Sequence, residues 1–83
     1  MKFIAEIDVM PKKEILDPQG KAVKLGLANL GINDVADVRI GRHITLALEV
    51  ANEAEAKLQT TKACEKLLAN LIMESFEFKI SVA

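Results

Sequence analysis

The 83-residue chain has no tryptophan, no tyrosine and a single cysteine, and its net charge is almost zero. With Cys64 alone, an internal disulfide and a zinc site built from several thiolates are excluded, and a lone thiol is typical of a reducing compartment. No apolar run approaches the roughly 18 residues that cross a membrane. A formal net charge of −1 argues against a basic nucleic-acid footprint. Because Glu6 and Asp8 interrupt the first apolar residues, no secretory signal is expected, and we expect a cytoplasmic protein without nucleic-acid or membrane partners.

The chain is rich in apolar side chains, which make up 51% of its residues. So high a fraction at so small a net charge excludes intrinsic disorder, and the length predicts one domain, residues 1–83. Domains of this size bury only about 60–65% of their unfolded surface, and this one has no covalent cross-link. We therefore expect the chain to share apolar surface with a partner.

Alternation of apolar and polar residues predicts four strands, over residues 2–10, 35–41, 43–50 and 75–82. The first helix begins with Asp17 as N-cap and Pro18 at its first position, and it ends at Gly31. The second begins at Asn52, where Glu55 completes a capping box. The order β-α-β-β-α-β predicts an α+β ferredoxin-like two-layer sandwich, in which a four-stranded antiparallel sheet carries two helices on one face.

The alternation also assigns an apolar inner face to the sheet and an outer face with charges of both signs. All three phenylalanines fall on the inner face, which argues against RNA binding by the outer face, since such binding needs aromatic side chains there. The outer face is either solvated or a partner surface, and the pattern leaves both open. Leu25 lies off the apolar stripe of the first helix and is a candidate contact. The buried stripe predicted for the second helix consists of Leu58, Thr61, Cys64, Leu67, Leu68 and Leu71.

Few residues in the chain are suited to catalysis. His43 is the only histidine, and Cys64 falls inside an apolar stripe, where a thiol is expected to be a core residue. Nothing in the sequence supports a dyad of the two, no glycine spacing fits a phosphate loop, and no metal site is expected. The densest polar cluster contains Arg39, Gly41, Arg42 and His43. Its arginines could bind phosphate or a partner's carboxylate, or they could be solubilising charge on an edge strand.

Three segments together resemble the PurS subunit family of phosphoribosylformylglycinamidine synthase. They are Leu-Asp-Pro-Gln-Gly-Lys-Ala-Val at 16–23, Val-Ala-Asp-Val-Arg-Ile-Gly-Arg at 35–42, and Cys-Glu-Lys-Leu-Leu-Ala-Asn at 64–70 with Ile72 and Glu74 after it. They occur in the family's order and span essentially the whole chain. The departures are small: Leu71 stands where the family usually has proline, and Arg42-His43 stand where it often has lysine and an aromatic residue.

This resemblance implies a non-catalytic subunit of an ATP- and glutamine-dependent ligase of purine biosynthesis. The enzyme converts formylglycinamide ribonucleotide to formylglycinamidine ribonucleotide. The resemblance also implies a homodimer or higher homo-oligomer that joins a glutaminase subunit to a large synthetase subunit and assists ammonia transfer. No cofactor is expected on this chain, while the complex uses ATP and Mg. Arg39, Gly41, Arg42, His43 and Leu25 are the candidate partner contacts.

Two other classes share parts of this pattern. An ACT-type dimeric module that binds small regulatory ligands has the same element order, but its ligands often lie near a glycine-bearing turn after the first strand. The corresponding loop here, residues 11–14, has no glycine. A small dimeric αβ-barrel enzyme is disfavoured by the scarcity of catalytic residues.

Overall fold

A computed structural model describes residues 1–14 and 16–83, and the structural statements below refer to these residues. It shows an α+β fold with a three-stranded antiparallel sheet in the order β2-β1-β3. The elements are β1 (Lys2–Pro11), α1 (Pro18–Asn29), β2 (Arg42–Glu49), α2 (Glu53–Ala63), a π-helical segment (Cys64–Leu68) and β3 (Glu74–Val82). Among the described helices, none has the length and apolarity needed to cross a bilayer.

Strand β1 is the centre of the sheet because both of its edges are paired. Its inward residues Phe3, Ala5, Ile7 and Val9 are buried, as the period-two alternation predicts. Ile7 lies opposite Ile44 on β2 and Phe78 on β3, so that apolar side chains form rows across the inner face. The outer-face residues between them are largely exposed.

Helix α2 packs on the inner face through small residues. Ala56, Thr60 and Cys64, spaced four apart, are fully buried, whereas Leu58 and Leu67 of the predicted stripe are exposed. Small side chains allow the helix to approach the strands closely, which turns the larger ones outward. In the π-helical segment the amide of Ala69 donates to the carbonyl of Cys64 at 3.1 Å, and this wider turn brings Leu68, not Leu67, onto the core.

The predicted strand over 35–41 is absent, so the sheet has three strands and lacks the four-stranded ferredoxin-like pattern. Residues 32–41 form neither helix nor strand and pair with no strand of the sheet, and we call them the unpaired segment. The amide of Val38 donates to the Asp37 carboxylate at 3.0 Å, and that of Ile40 to the Asp17 carboxylate at 2.8 Å. These two amides therefore donate to side-chain carboxylates, whereas in a sheet they would donate to carbonyl groups of a neighbouring strand.

Helix α1 does not lie on the sheet, in contrast to the prediction that both helices cover one face. It packs against the unpaired segment: Lys24 Nζ donates to the carbonyl of Ala36 at 2.9 Å, and a Cβ at Gly20 would collide with the carbonyl oxygen of Val38. The apolar side chains of Val23 in the helix and of Leu30 at its C-cap face solvent. The radius of gyration is 16.3 Å, against about 12 Å for a compact domain of this length.

Candidate functional site

A charged network connects β2 with the beginning of β3. Arg42 donates from Nη1 to Glu74 Oε2 at 2.7 Å and from Nη2 to Glu74 Oε1 at 3.0 Å. Nη2 also donates to the carbonyl of Leu68 at 2.9 Å, and the amide of Asn70 donates to Glu74 Oε1 at 2.8 Å. The bond from Arg42 lowers the pKa of Glu74, and the carboxylate raises the pKa of Arg42. The guanidinium predicted to contact a partner is thus largely engaged within its own chain.

The turn before β3 exposes three apolar side chains to solvent. Leu71, Ile72 and Met73 are all exposed, and we call them the apolar turn. The amide of Met73 donates to the carbonyl of Asn70 at 3.0 Å, and the amide of Ile72 donates to Asn70 Oδ1 at 3.1 Å. The carbonyl of Met73 accepts from the amide of Lys12 at 2.9 Å. These hydrogen bonds hold the turn in a conformation that presents apolar side chains to solvent, a feature that the sequence did not predict, because its pattern assigned Leu71 to a buried stripe.

Asp17 and Pro18 lie at the beginning of α1, as N-cap and first helical residue. Asp17 Oδ1 accepts from the amide of Gly20 at 3.0 Å, and Oδ2 accepts from the amide of Ile40 at 2.8 Å. These bonds, with that of Ile40 the larger cause, lower the pKa of Asp17. One carboxylate thus both caps the helix and ties it to the unpaired segment, and the second role could not be inferred from capping rules.

A cleft of about 470 Å³ lies between the beginning of α1 and the apolar turn. Its apolar walls are Pro11, Leu16, Ile40 and Met73. Among the described residues, its polar lining consists of the carboxylates of Asp17 and Glu74, the guanidinium of Arg42, and the uncharged side chains of Gln19 and Asn70. These lining residues carry a formal charge of −1. An apolar wall around an excess carboxylate is suited to a side chain that has an apolar stem and a cationic tip.

The structure distributes the candidate contact residues over several surfaces. Gly41 and Arg42 line the cleft, and a Cβ at Gly41 would collide with the carbonyl of Val9, so that the close approach there needs glycine. Arg39 is half-buried and lines two other concavities. Leu25 is exposed on α1. The cluster predicted from residues 39–43 is therefore not a single site.

His43 lies on the outer face of the sheet, where its Nδ1 is 2.7 Å from Asp8 Oδ1. Cys64 is buried on the opposite, helix-covered side, and burial raises the pKa of its thiol. The two residues therefore do not form a dyad. Among residues 1–14 and 16–83, no group of three or more His, Cys, Asp or Glu side chains is arranged to hold a metal ion. What the surface offers is binding chemistry, concentrated at the cleft and the apolar turn.

Comparison with known proteins gives a consistent result. Residues 4–82 match the family model described as "PurS: Phosphoribosylformylglycinamidine (FGAM) synthase". The chain is 44% identical over 79 residues to phosphoribosylformylglycinamidine synthase subunit PurS of Synechocystis, which covers 95% of this chain and 79% of that relative.

Two solved structures share the fold over almost the full length of both chains. PurS of Bacillus subtilis superposes with a TM-score of 0.86 at 34% identity, covering 95% of this chain and 98% of that one. A chain in the structure of PurLQS from Thermotoga maritima superposes with a TM-score of 0.89 at 31% identity, covering 98% and 99%. The extended shape is therefore shared with chains solved in other species.

Proposed function

Since the chain belongs to the PurS family and is a subunit of phosphoribosylformylglycinamidine synthase, we propose that it joins the glutaminase and synthetase subunits and assists the passage of ammonia. The match over residues 4–82 carries this proposal. The resemblance to a chain of the Thermotoga PurLQS structure supports a place in a multi-subunit assembly. The ACT-type alternative is not supported, because the comparisons match PurS.

The physical role of such a subunit is positional. Ammonia released at one active site escapes into solvent unless the second site is held nearby, and a bridge raises its effective concentration without taking part in the chemistry. On this proposal the chain supplies no catalytic residue and binds no cofactor, while ATP and Mg act at the synthetase subunit, and the complex works in the cytoplasm.

We also propose that the chain forms a homodimer or a higher homo-oligomer. Its accessible surface is 5974 Å², about 1,100 Å² more than the roughly 4,900 Å² expected for a folded monomer of its mass. That excess exceeds the about 800 Å² that each partner buries in a standard interface. It includes apolar residues of α1 and of the inner face at β3, such as Leu25 and Val82. Packing α1 of one copy on the inner face of another would supply the missing helix layer.

The bridging role is tested by reconstituting the enzyme with and without this chain. We expect its removal to lower glutamine-dependent turnover far more than turnover with added ammonium salt, because only the former needs transfer between subunits. The isolated chain should show neither glutaminase nor synthetase activity. An equal loss of both turnovers would refute the bridging role.

A further inference from the structure

The apolar turn is unusual because its backbone is held by hydrogen bonds while its side chains are exposed. Ile72 is 82% exposed, and its amide is held by Asn70. Contiguous apolar side chains on a surface mark a binding site. A segment that is ordered before binding also loses less conformational entropy when it is covered. The turn therefore has the properties of an interface anchor.

The cleft lies directly beside this turn, and Met73 belongs to both. Its carboxylates, Asp17 and Glu74, have lowered pKa values and are ionised at neutral pH. Among the described residues that line the cleft, Arg42 is the only cation, and Arg39 lies near enough to Asp17 to contribute to its lowered pKa. The lining residues carry a formal charge of −1, and Pro11, Leu16, Ile40 and Met73 form apolar walls, a combination that fits the methylene stem and charged head of lysine or arginine.

We propose that the cleft and the apolar turn form one docking surface for a different subunit of the complex, which inserts a lysine or arginine side chain into the cleft and covers Ile72 with apolar side chains. This inference rests on the proposed function, since it assigns part of the bridge to a surface. Charge complementarity selects the cationic side chain, and the preorganised turn provides the apolar anchor beside it.

This surface is separate from the one assigned to self-association. The cleft and the turn lie at the end of the sheet where β1 finishes and β3 begins, at the pairing of Pro11 with Glu74. The surface excess is about the size of one interface, and α1 and the inner face contribute exposed apolar residues to it. We assign a non-identical subunit, rather than a second copy, as the occupant of the cleft and the turn.

The test measures binding of the full chain to the purified synthetase and glutaminase subunits of the same organism, by size exclusion and biolayer interferometry. Ile72→Ser removes the anchor, and Leu67→Ser is its matched control, because Leu67 is 81% exposed outside the turn. Gln19→Lys places a cation in the cleft wall, and Gln19→Glu places a carboxylate at the same position. Thermal unfolding and light scattering check each variant for folding and self-association.

We expect Ile72→Ser and Gln19→Lys to weaken binding to at least one subunit by about tenfold or more. Leu67→Ser should bind like the wild type, and Gln19→Glu at least as tightly. Added salt should reduce the effect of Gln19→Lys, because it screens the charge.

If the wild type binds but all four variants match it, the docking surface is wrong while the bridge stands. If Ile72→Ser disrupts only self-association, a second copy occupies the turn and the inference is overturned. If the wild type binds neither subunit, the proposed function itself fails.

Discussion

The pairing of Arg42 with Glu74 should make a measurable contribution to stability, and Glu74→Gln tests it with little change of shape. The Glu74 carboxylate accepts three hydrogen bonds, two of them from the guanidinium. A glutamine retains one acceptor oxygen, so at least one bond to Arg42 is lost and the cation has no counter-charge. Bonds to charged groups contribute about 1.5–3 kcal/mol.

Solvent screening reduces this contribution to stability, because the side chain of Arg42 is 51% exposed, although that of Glu74 is only 18% exposed. We therefore expect Glu74→Gln to lower the free energy of unfolding by about 1–2 kcal/mol. In a domain of this size each kcal/mol corresponds to about 4–8 °C in Tm. Urea and thermal unfolding should be measured at one fixed chain concentration, since an oligomer gains stability with concentration.

Glu77→Gln is the matched control, because Glu77 lies on the same strand, is exposed and has no ion-pair partner among the described residues. A double-mutant cycle with Arg42→Ala isolates the coupling between the two side chains. If Glu74→Gln and Glu77→Gln destabilise the chain equally, or if the coupling in the cycle is near zero, the network does not stabilise the fold and the reasoning is refuted.

The same pair predicts a pH dependence with a definite sign. The pKa of Glu74 is lowered in the folded state from its ordinary value of 4.5. Between the lowered pKa of Glu74 in the folded state and its ordinary pKa in the unfolded chain, the unfolded chain binds more protons than the folded one. The free energy of unfolding therefore rises with pH in that window. The contribution is complete above about pH 4.5 and is lost as the pH falls through the lowered pKa of the folded state. The gap in stability between the wild type and Glu74→Gln should therefore narrow as the pH falls below 4.5.

Two further predictions concern the helices. Gly26→Ala should stabilise the chain by about 0.4–1 kcal/mol in urea unfolding, because no atom of the described residues outside its own helix lies within 4 Å of the added methyl group. Gly20→Ala should destabilise it, because the added carbon meets the carbonyl of Val38; equal effects of the two substitutions would contradict that close approach. Leu25→Ser should weaken self-association in multi-angle light scattering, whereas Leu58→Ser, at 64% exposure against 66% for Leu25, should not. Identical masses for both variants and the wild type would exclude α1 from the interface between copies.

Much of the local structure could be predicted because its causes are local. Period-two alternation predicts β1, β2 and β3 close to their observed bounds, and the side chains of Asp17 and Asn52 accept the cap bonds that their residue types suggest. For α2, the spacing of apolar residues predicts that the large leucine side chains face the core. The structure buries Ala56 and Thr60 instead, because the spacing between a helix and a sheet depends on both surfaces and not on the helix alone.

Local periodicity and capping were enough to predict α1, α2, β1, β2 and β3, and the sequence motifs were enough to indicate the family. Which elements contact one another depends on the tertiary structure. Residues 35–41 alternate as a strand would, yet β1 pairs with β2 only from Arg42 onward, where Val9 lies opposite it, and β1 ends soon after at Pro11. The segment before Arg42 therefore has no neighbouring strand to pair with. Helix α1 follows that segment away from the sheet, because Asp17 and Gly20 bind it to residues 38–40. Pairing partners are supplied by distant parts of the chain, or by another chain, and no local pattern specifies them.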